Sequence, residues 1–231
     1  MIIKIGELMK NLTLYTIGSP NGIKIPILLE ELKLDYTLVN IDITKNEQFS
    51  AAFSAVNPRH KIPVLIDKEY PNGESNVIAE SCSILLYLAD KYNDFISNDI
   101  ISRTKTIEWL FYQASTEGTV FGAYGHFSTY HNDKIIDTYP RERYLKETII
   151  VLNYINSELN NKLFLVEIKY SIADIAMFPW IIWIINFYNI EDVIDMSIYS
   201  NITDWVARCC ARPETIKGLD TYHYLNIKNN Q

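Results

Sequence analysis

The sequence has too few cysteines and too little positive charge for several classes of protein. Its three cysteines form no even set for a disulfide framework. Cys209 and Cys210 are adjacent, so on a helix their side chains would point about 100° apart and pair poorly. Acidic residues outnumber basic ones, 28 against 21, and they do so in both halves of the chain. Nucleic acid and anionic membrane surfaces are therefore not expected as partners.

Long apolar segments are also missing. The most apolar stretch, residues 178–185, is too short to span a bilayer, so no membrane association is predicted. Residues 1–10 lack the apolar core and the small-residue cleavage site of a signal peptide. Together with the unpaired cysteines, these features favour the reducing cytoplasm. The spacing of Cys209, Cys210 and His223 fits no zinc pattern, so no metal site is expected.

The first part of the chain, residues 11–93, alternates between strand and helix patterns. Strands are predicted at 11–17, 36–41, 63–66 and 76–78, and helices at 24–33, 47–56 and 80–92. Two early strands joined through a helix imply a parallel pair, whereas the last two, around the turn residues Pro71-Asn72-Gly73, indicate a hairpin.

Residues 94–101 form the predicted linker, and residues 102–225 show only helical periods. Helices are predicted at 104–121, 141–160, 171–185 and 201–211, with residues 98–103 as a polar connector. Ser171 and Asp174 have the spacing of a capping box at a helix start. The predicted architecture is thus an α/β domain followed by an all-α helical bundle.

Three short motifs in the first domain suit a small zwitterionic ligand. Ser19-Pro20-Asn21-Gly22 lies between a strand and a helix, where an anion or thiolate would meet free N–H groups. Lys61-Ile62-Pro63 starts a strand, and a proline there leaves the neighbouring backbone free to pair with a ligand. Glu80-Ser81 opens a helix, where Glu80 can pair with an ammonium and Ser81 can hold a carboxylate. Taken singly, the motifs are better explained as a plain turn, an edge proline and a helix cap.

The order of these motifs resembles that of the glutathione transferases. The matching segments read S-P-N-G, N-P-R-H-K-I-P-V-L, A-E-S-C-S-I-L-L-Y-L-A-D-K-Y and Y-S-I-A-D-I-A, and the resemblance runs over residues 12–213. It is closest to the bacterial nu class and the related fungal nitrogen-regulator proteins. The implied fold is a thioredoxin-like domain followed by an all-helical domain, and the implied assembly is a homodimer.

The resemblance also implies a role for individual residues. Asn21 and Ser19 would face the sulfur of glutathione as the catalytic pair. Ile62, before an expected cis-Pro63, would pair its backbone with the cysteinyl unit, and Lys61 would also bind glutathione. Glu80 and Ser81 would bind the γ-glutamyl end of glutathione. Gln48 would approach the glycyl end. Arg143 would reach a second glutathione.

Some residues depart from the family pattern. Ser19 stands where the nu class has Thr, and this replacement keeps a hydroxyl group. Val166-Glu167-Ile168 stands where the family has glycine. No cysteine occupies the strand-to-helix turn, so a glutaredoxin-type protein thiol is not expected. Cys82 lies near the expected site, and we interpret it as a small buried apolar residue.

The resemblance implies a glutathione-dependent enzyme with glutathione as thiol donor. Disulfide exchange between two bound glutathiones is the favoured reaction, with a small disulfide as the other substrate. Conjugation of glutathione to an electrophile is the alternative reaction. A non-catalytic regulator on the same fold is the alternative function, because one fold hosts many functions.

Overall fold

The computed structural model of the protein describes residues 11–69, 73–131, 134, 136–166 and 169–225. Several sequence features lie outside these ranges. These features are the segment 1–10 without signal-peptide character, two residues of the predicted hairpin turn (Pro71 and Asn72), and two residues of the loop that departs from the family pattern (Glu167 and Ile168).

A four-stranded sheet forms the centre of the first half. Its strands are β1 (Leu12–Thr16), β2 (Tyr36–Asn40), β3 (Val64–Asp67) and β4 (Asn76–Ala79), in the order β2-β1-β3-β4. β1 pairs parallel to β2, with Leu12 opposite Tyr36, and antiparallel to β3. β3 and β4 are antiparallel. The predicted parallel pair and the predicted antiparallel hairpin are both confirmed.

Helices cover both faces of this sheet. They are α1 (Lys24–Glu31), α2 (Ala51–Val56) and α3 (Ser81–Tyr92). Side chains of successive strand residues alternate between faces, so Leu65 packs in the main core with α1 and α3, whereas Val64 packs against Phe53 of α2. α2 starts later than predicted because Ser50 caps it by accepting a hydrogen bond from Phe53 N at 3.2 Å.

The second half is helical throughout the described residues. Its helices are α4 (Ile100–Tyr112), α5 (Gly118–Gly125), α6 (Tyr139–Glu158), α7 (Ile172–Asn186), α8 (Ser200–Cys210) and α9 (Pro213–Asp220). α7 is apolar on nearly all sides and lies at the centre of the bundle. The predicted capping box is present, since Ser171 N donates to Asp174 Oδ2 at 2.9 Å. Within the described ranges, no helix is long and apolar enough to cross a membrane.

Two helical predictions need correction, and one helix was not predicted. The single helix predicted at 104–121 is broken by a π-helical segment, Gln113–Glu117, that separates α4 from α5. α4 begins inside the predicted polar connector because Asp99 accepts a hydrogen bond from Ser102 N at 2.9 Å and caps the helix. α9 was not predicted; Pro213 occupies its first position, where a missing N–H has no cost.

The two halves share polar contacts as well as apolar core. Arg212, just before α9, binds Glu31 of α1 through two hydrogen bonds of 2.8 and 2.7 Å. Trp180 of α7 donates to Asn21 in the turn before α1 at 3.1 Å. Side chains from the helical half therefore take part directly in the geometry of the first motif.

Candidate functional site

The three motifs meet at one small cavity. The cavity has a volume of about 40 Å³ and lies where the β1–α1 turn, the start of β3 and the start of α3 converge. Its lining residues are Asn21, Asn57, Lys61, Ile62, Pro63, Ala79, Glu80 and Ser81. Three larger surface grooves, of about 490, 540 and 580 Å³, contain none of the predicted site residues. The size of an empty groove is therefore not what distinguishes the site.

The first motif forms a tight turn ahead of α1. Ser19 Oγ accepts from Gly22 N at 3.1 Å, and Ile23 N donates to Ser19 O at 2.9 Å. A Cβ on Gly22 would lie 2.1 Å from Ile17 O, so only glycine fits this turn. The Ser19 oxygen is thus used as an acceptor inside the turn, while its hydroxyl proton remains available to a ligand.

The Asn21 amide is held in one orientation. Its Oδ1 accepts from Lys24 Nζ at 2.8 Å and from Trp180 Nε1 at 3.1 Å. Asn21 itself lines the cavity. The orientation of the amide follows from these two bonds, because an NH₂ group cannot accept from either donor. The NH₂ group donates to no described residue and is therefore the end of the side chain that is left for a ligand.

Lys24 is fully buried at the first residue of α1. Its Nζ also lies 3.4 Å from Ser81 Oγ at the start of α3, so it links two of the three motifs. Burial lowers the pKa of Lys24 to about 8, and the nearby Cys82 and Glu117 groups oppose this shift. A positive group at a helix N-terminus also opposes the helix dipole.

Glu117 and Cys82 lie on the inner side of Lys24. Glu117 is fully buried, and neither carboxyl oxygen has a hydrogen-bond partner among the described residues, although the Gln113 amide is close. Burial raises its pKa well above the ordinary value, with Lys24 opposing. The Cys82 thiol donates to Gln113 Oε1 at 3.2 Å, and burial raises the pKa of this thiol. Cys82 is thus a protonated thiol, which is a poor nucleophile.

The second motif presents backbone to the cavity. The Ile62–Pro63 peptide bond is cis, as expected. Lys61 O accepts from Asn57 Nδ2 at 2.7 Å, which ties the segment to the end of α2. No described backbone group bonds to Ile62 N or O. The Ile62 peptide groups are therefore available to an extended ligand.

The third motif combines a carboxylate, a hydroxyl and a helix start. Glu80 Oε1 pairs with the Arg59 guanidinium at 2.8 Å, and the two side chains are 62% and 66% exposed. Glu80 adopts a backbone φ of 70°, which is rare for a residue other than glycine and concentrates at functional sites. Ser81 is nearly buried beside Lys24. A zwitterion would find both charge types at this end of the cavity.

Three predicted residues lie outside the cavity lining. Ser19 belongs to the turn before α1, where its Oγ accepts from Gly22 N. Gln48 belongs to a short 3₁₀ turn, Glu47–Phe49, and its buried Oε1 has no partner among the described residues. Arg143 is exposed in α6, and no described contact connects it to the lining residues. The roles of all three residues stay predictions.

Four residues near the site were not predicted from the sequence: Lys24, Arg59, Trp180 and Glu117. A lysine at the start of a helix is one signal for such a site, because it conflicts with the helix dipole. Arg59 lies within the N-P-R-H-K-I-P-V-L segment, two residues before Lys61. Trp180 and Glu117 reach the site through tertiary packing alone, so local sequence pattern contained no signal for them. No group of three or more candidate metal ligands occurs in the part of the chain that the structure describes.

Comparison with known proteins identifies related chains over most of this length. Residues 10–90 match the family model for the glutathione S-transferase N-terminal domain, and residues 125–213 match that for the C-terminal domain. The disulfide-bond oxidoreductase YfcG of Escherichia coli is 37% identical over 207 residues, which cover 89% of this chain and 93% of YfcG.

Solved structures agree with this relationship. A glutathione transferase from Burkholderia graminis, with two glutathione molecules bound per subunit, superposes with a TM-score of 0.90 at 34% identity. The match covers 94% of this chain and 90% of that one. A glutathione transferase from Pseudomonas putida, with one glutathione disulfide per subunit, gives a TM-score of 0.88 at 32% identity and covers 93% of each chain. The predicted fold class is confirmed, and the chain belongs to the glutathione S-transferase family.

Proposed function

We propose that the cavity binds glutathione and that the protein is a disulfide-bond oxidoreductase that uses two bound glutathiones and none of its own cysteines. The observation that carries this proposal is the Asn21 amide, whose NH₂ is left for a ligand because two donors bind its oxygen. An amide NH₂ suits a thiolate supplied by a ligand. The buried and protonated Cys82 thiol does not suit the role of nucleophile.

Two of the three parts of glutathione have chemically matched groups in the cavity. The Ile62 peptide groups would pair with the cysteinyl backbone, and Lys61 lines the cavity beside them. Glu80 would take the γ-glutamyl ammonium, while Ser81 and the start of α3 would take its carboxylate. The glycyl end would extend toward Gln48, which lies outside the cavity lining and whose amide NH₂ would donate to the glycyl carboxylate.

The second glutathione would bind on the helical side of the first. Arg143 of α6 is the proposed contact, because an exposed guanidinium can pair with either glutathione carboxylate. The relationship to YfcG supports the disulfide chemistry, and the ligands of the Burkholderia and Pseudomonas structures support a site with room for two tripeptides.

The reaction proceeds as two thiol–disulfide exchanges. The first glutathione thiolate attacks one sulfur of a disulfide, forms a mixed disulfide and releases the other sulfur as a thiolate, which takes up a proton. The second glutathione thiolate attacks the glutathione sulfur of that mixed disulfide, which yields glutathione disulfide and releases the second substrate thiol. Two glutathiones are oxidised and one disulfide is reduced, so the protein itself keeps its redox state.

Steady-state turnover of glutathione with 2-hydroxyethyl disulfide tests this proposal, with glutathione disulfide measured as product. We expect turnover in the wild type and nearly the same rate in Cys82→Ala. Loss of activity in Cys82→Ala would move the nucleophile onto the protein and contradict the two-glutathione reaction.

The same preparation distinguishes the alternatives. Turnover with an aromatic chloride electrophile, but none with the disulfide, would indicate a conjugating transferase. Glutathione binding without either turnover would indicate a non-catalytic regulator. Absence of glutathione binding to the wild type would contradict the proposed site as well as the reaction.

A further inference from the structure

We infer that Lys24 is a positioning residue of this site: its buried ammonium, together with the Trp180 indole N–H, holds Asn21 Oδ1 inward so that the amide NH₂ faces the ligand thiol. This inference rests on the proposed function and deepens it. Lys24, which would not touch the ligand itself, would thereby influence the pKa of the bound thiol.

The burial of Lys24 has no evident structural purpose. Lysine is almost never fully buried unless it is paired with an acid, yet among the described residues its Nζ has no carboxylate hydrogen-bond partner. Its two partners are neutral oxygens, those of Asn21 and Ser81. An apolar side chain of similar length would fill the same space without the loss of hydration that a buried charge suffers.

The geometry explains what the ammonium accomplishes. An asparagine amide can turn by 180° about its last bond and would then present an oxygen, which repels a thiolate. Two donors on Oδ1, at 2.8 and 3.1 Å, oppose that turn, and the bond from Lys24 is the stronger because it is charge-assisted. Bonds accepted at the amide oxygen also strengthen donation from its NH₂.

Lys24 also connects the thiol end of the cavity to the carboxylate end. Its contact with Ser81 Oγ at 3.4 Å occupies an acceptor position of that hydroxyl and leaves the hydroxyl proton for a ligand carboxylate. The titratable groups that face Lys24 are Cys82 of α3 and Glu117 of the π-helical segment. Burial raises the pKa of both groups, and the Lys24 ammonium opposes that shift in each.

The test compares Lys24→Met with the wild type, because methionine keeps a similar length and removes both the charge and the donor. The pKa of the bound glutathione thiol is measured by ultraviolet titration, together with kcat and KM for disulfide reduction. We expect the thiol pKa to rise by about one unit or more and kcat near neutral pH to fall roughly tenfold, with a much smaller change in KM. The melting temperature should be no lower than that of the wild type, because a buried charge is removed.

Two further variants make the result decisive. Trp180→Phe removes the other donor and keeps the charge, so its thiol pKa should rise by less than that of Lys24→Met. Lys24→Leu also removes both the charge and the donor; its thiol pKa should also rise, and it decides the matter if Lys24→Met does not fold.

The possible outcomes separate this inference from the proposed function. A bound-thiol pKa in the Lys24 variants within about 0.3 units of the wild type would overturn the positioning role while leaving glutathione binding intact. Failure of the wild type to bind glutathione would instead overturn the proposed function on which the inference rests.

Discussion

Replacement of Asn21 tests most closely how the site would generate a thiolate. A free thiol has a pKa of about 8.5, and lowering it by about two units needs roughly 2.7 kcal/mol of selective thiolate stabilisation. A helix N-terminus supplies about 0.3–1 kcal/mol. In this structure α1 begins only at Lys24, and Ser19 occupies the N–H groups of Gly22 and Ile23, so the dipole contribution lies toward the low end.

A side-chain donor must therefore supply most of the stabilisation. A hydrogen bond to a charged acceptor is worth roughly 1.5–3 kcal/mol, so Asn21→Ala should raise the bound-thiol pKa by about 1–2 units. Ser19→Ala should raise it less, because the Asn21 amide is oriented and polarised by Lys24 and Trp180, whereas no described residue orients the Ser19 hydroxyl proton. The disulfide-reductase rate should fall in the same order.

Asn21→Asp serves as the matched control. Aspartate keeps the size of the side chain and an oxygen for Lys24 and Trp180, so the melting temperature should not fall. Its outward oxygen would repel the thiolate, so we expect the bound-thiol pKa to rise at least as far as in Asn21→Ala. The assay is ultraviolet titration of bound glutathione in all four proteins. A larger shift in Ser19→Ala than in Asn21→Ala would refute the assignment of Asn21 as the principal donor.

Further predictions follow from charge and assembly. Glu80→Ala should weaken glutathione binding at least tenfold in calorimetry, since loss of a charge-pair partner costs on the order of 2 kcal/mol, and Arg59→Ala should not weaken it comparably if Glu80 pairs with the ligand ammonium. A change within about twofold for Glu80→Ala would show that this residue does not hold the ligand. Because burial lowers the pKa of Lys24 to about 8, the unfolded state binds more protons between about pH 8 and 10.5, and stability rises with pH there. Lys24→Met should therefore have a higher free energy of unfolding than the wild type, by on the order of 3 kcal/mol below about pH 8, and this gain should shrink as the pH rises to 10.5. The measurement is denaturant unfolding at several pH values, and a gain that does not change with pH would contradict the prediction. Light scattering should give twice the subunit mass of 26.8 kDa, and a clean monomer at micromolar concentration would exclude the predicted homodimer.

The predictable parts of the fold are those whose signals lie close together in the sequence. The alternation of Leu12-Thr13-Leu14 predicts a strand, and the helix that joins it to the next strand predicts a parallel pair. The helix predicted at 104–121 failed because a π-helical segment has no distinctive local pattern, and Asp99 was not interpreted as a cap.

The candidate site likewise contains some residues with local sequence signals and others that only tertiary packing brings there. Asn21, Ile62, Glu80 and Ser81 sit in turns and helix starts with local signatures, and they line one cavity in the structure. The positioning role proposed for Lys24 depends on burial, which arises only when α1 packs against α3 and α7. Glu117 and Trp180 are distant in sequence from the turn before α1 and reach it through tertiary packing. From hydrophobic periodicity alone, such residues can be assigned only to the core.

A crystal structure after soaking with glutathione would show both proposed ligand positions at once. We predict a first glutathione with its sulfur in hydrogen-bond contact with Asn21 Nδ2, its cysteinyl backbone paired with Ile62 and its γ-glutamyl group at Glu80 and Ser81. We also predict a second glutathione on the side of α6, with its sulfur close to the first. Glutathione bound elsewhere, or with its sulfur joined to Cys82, would show that the proposed site and reaction are wrong.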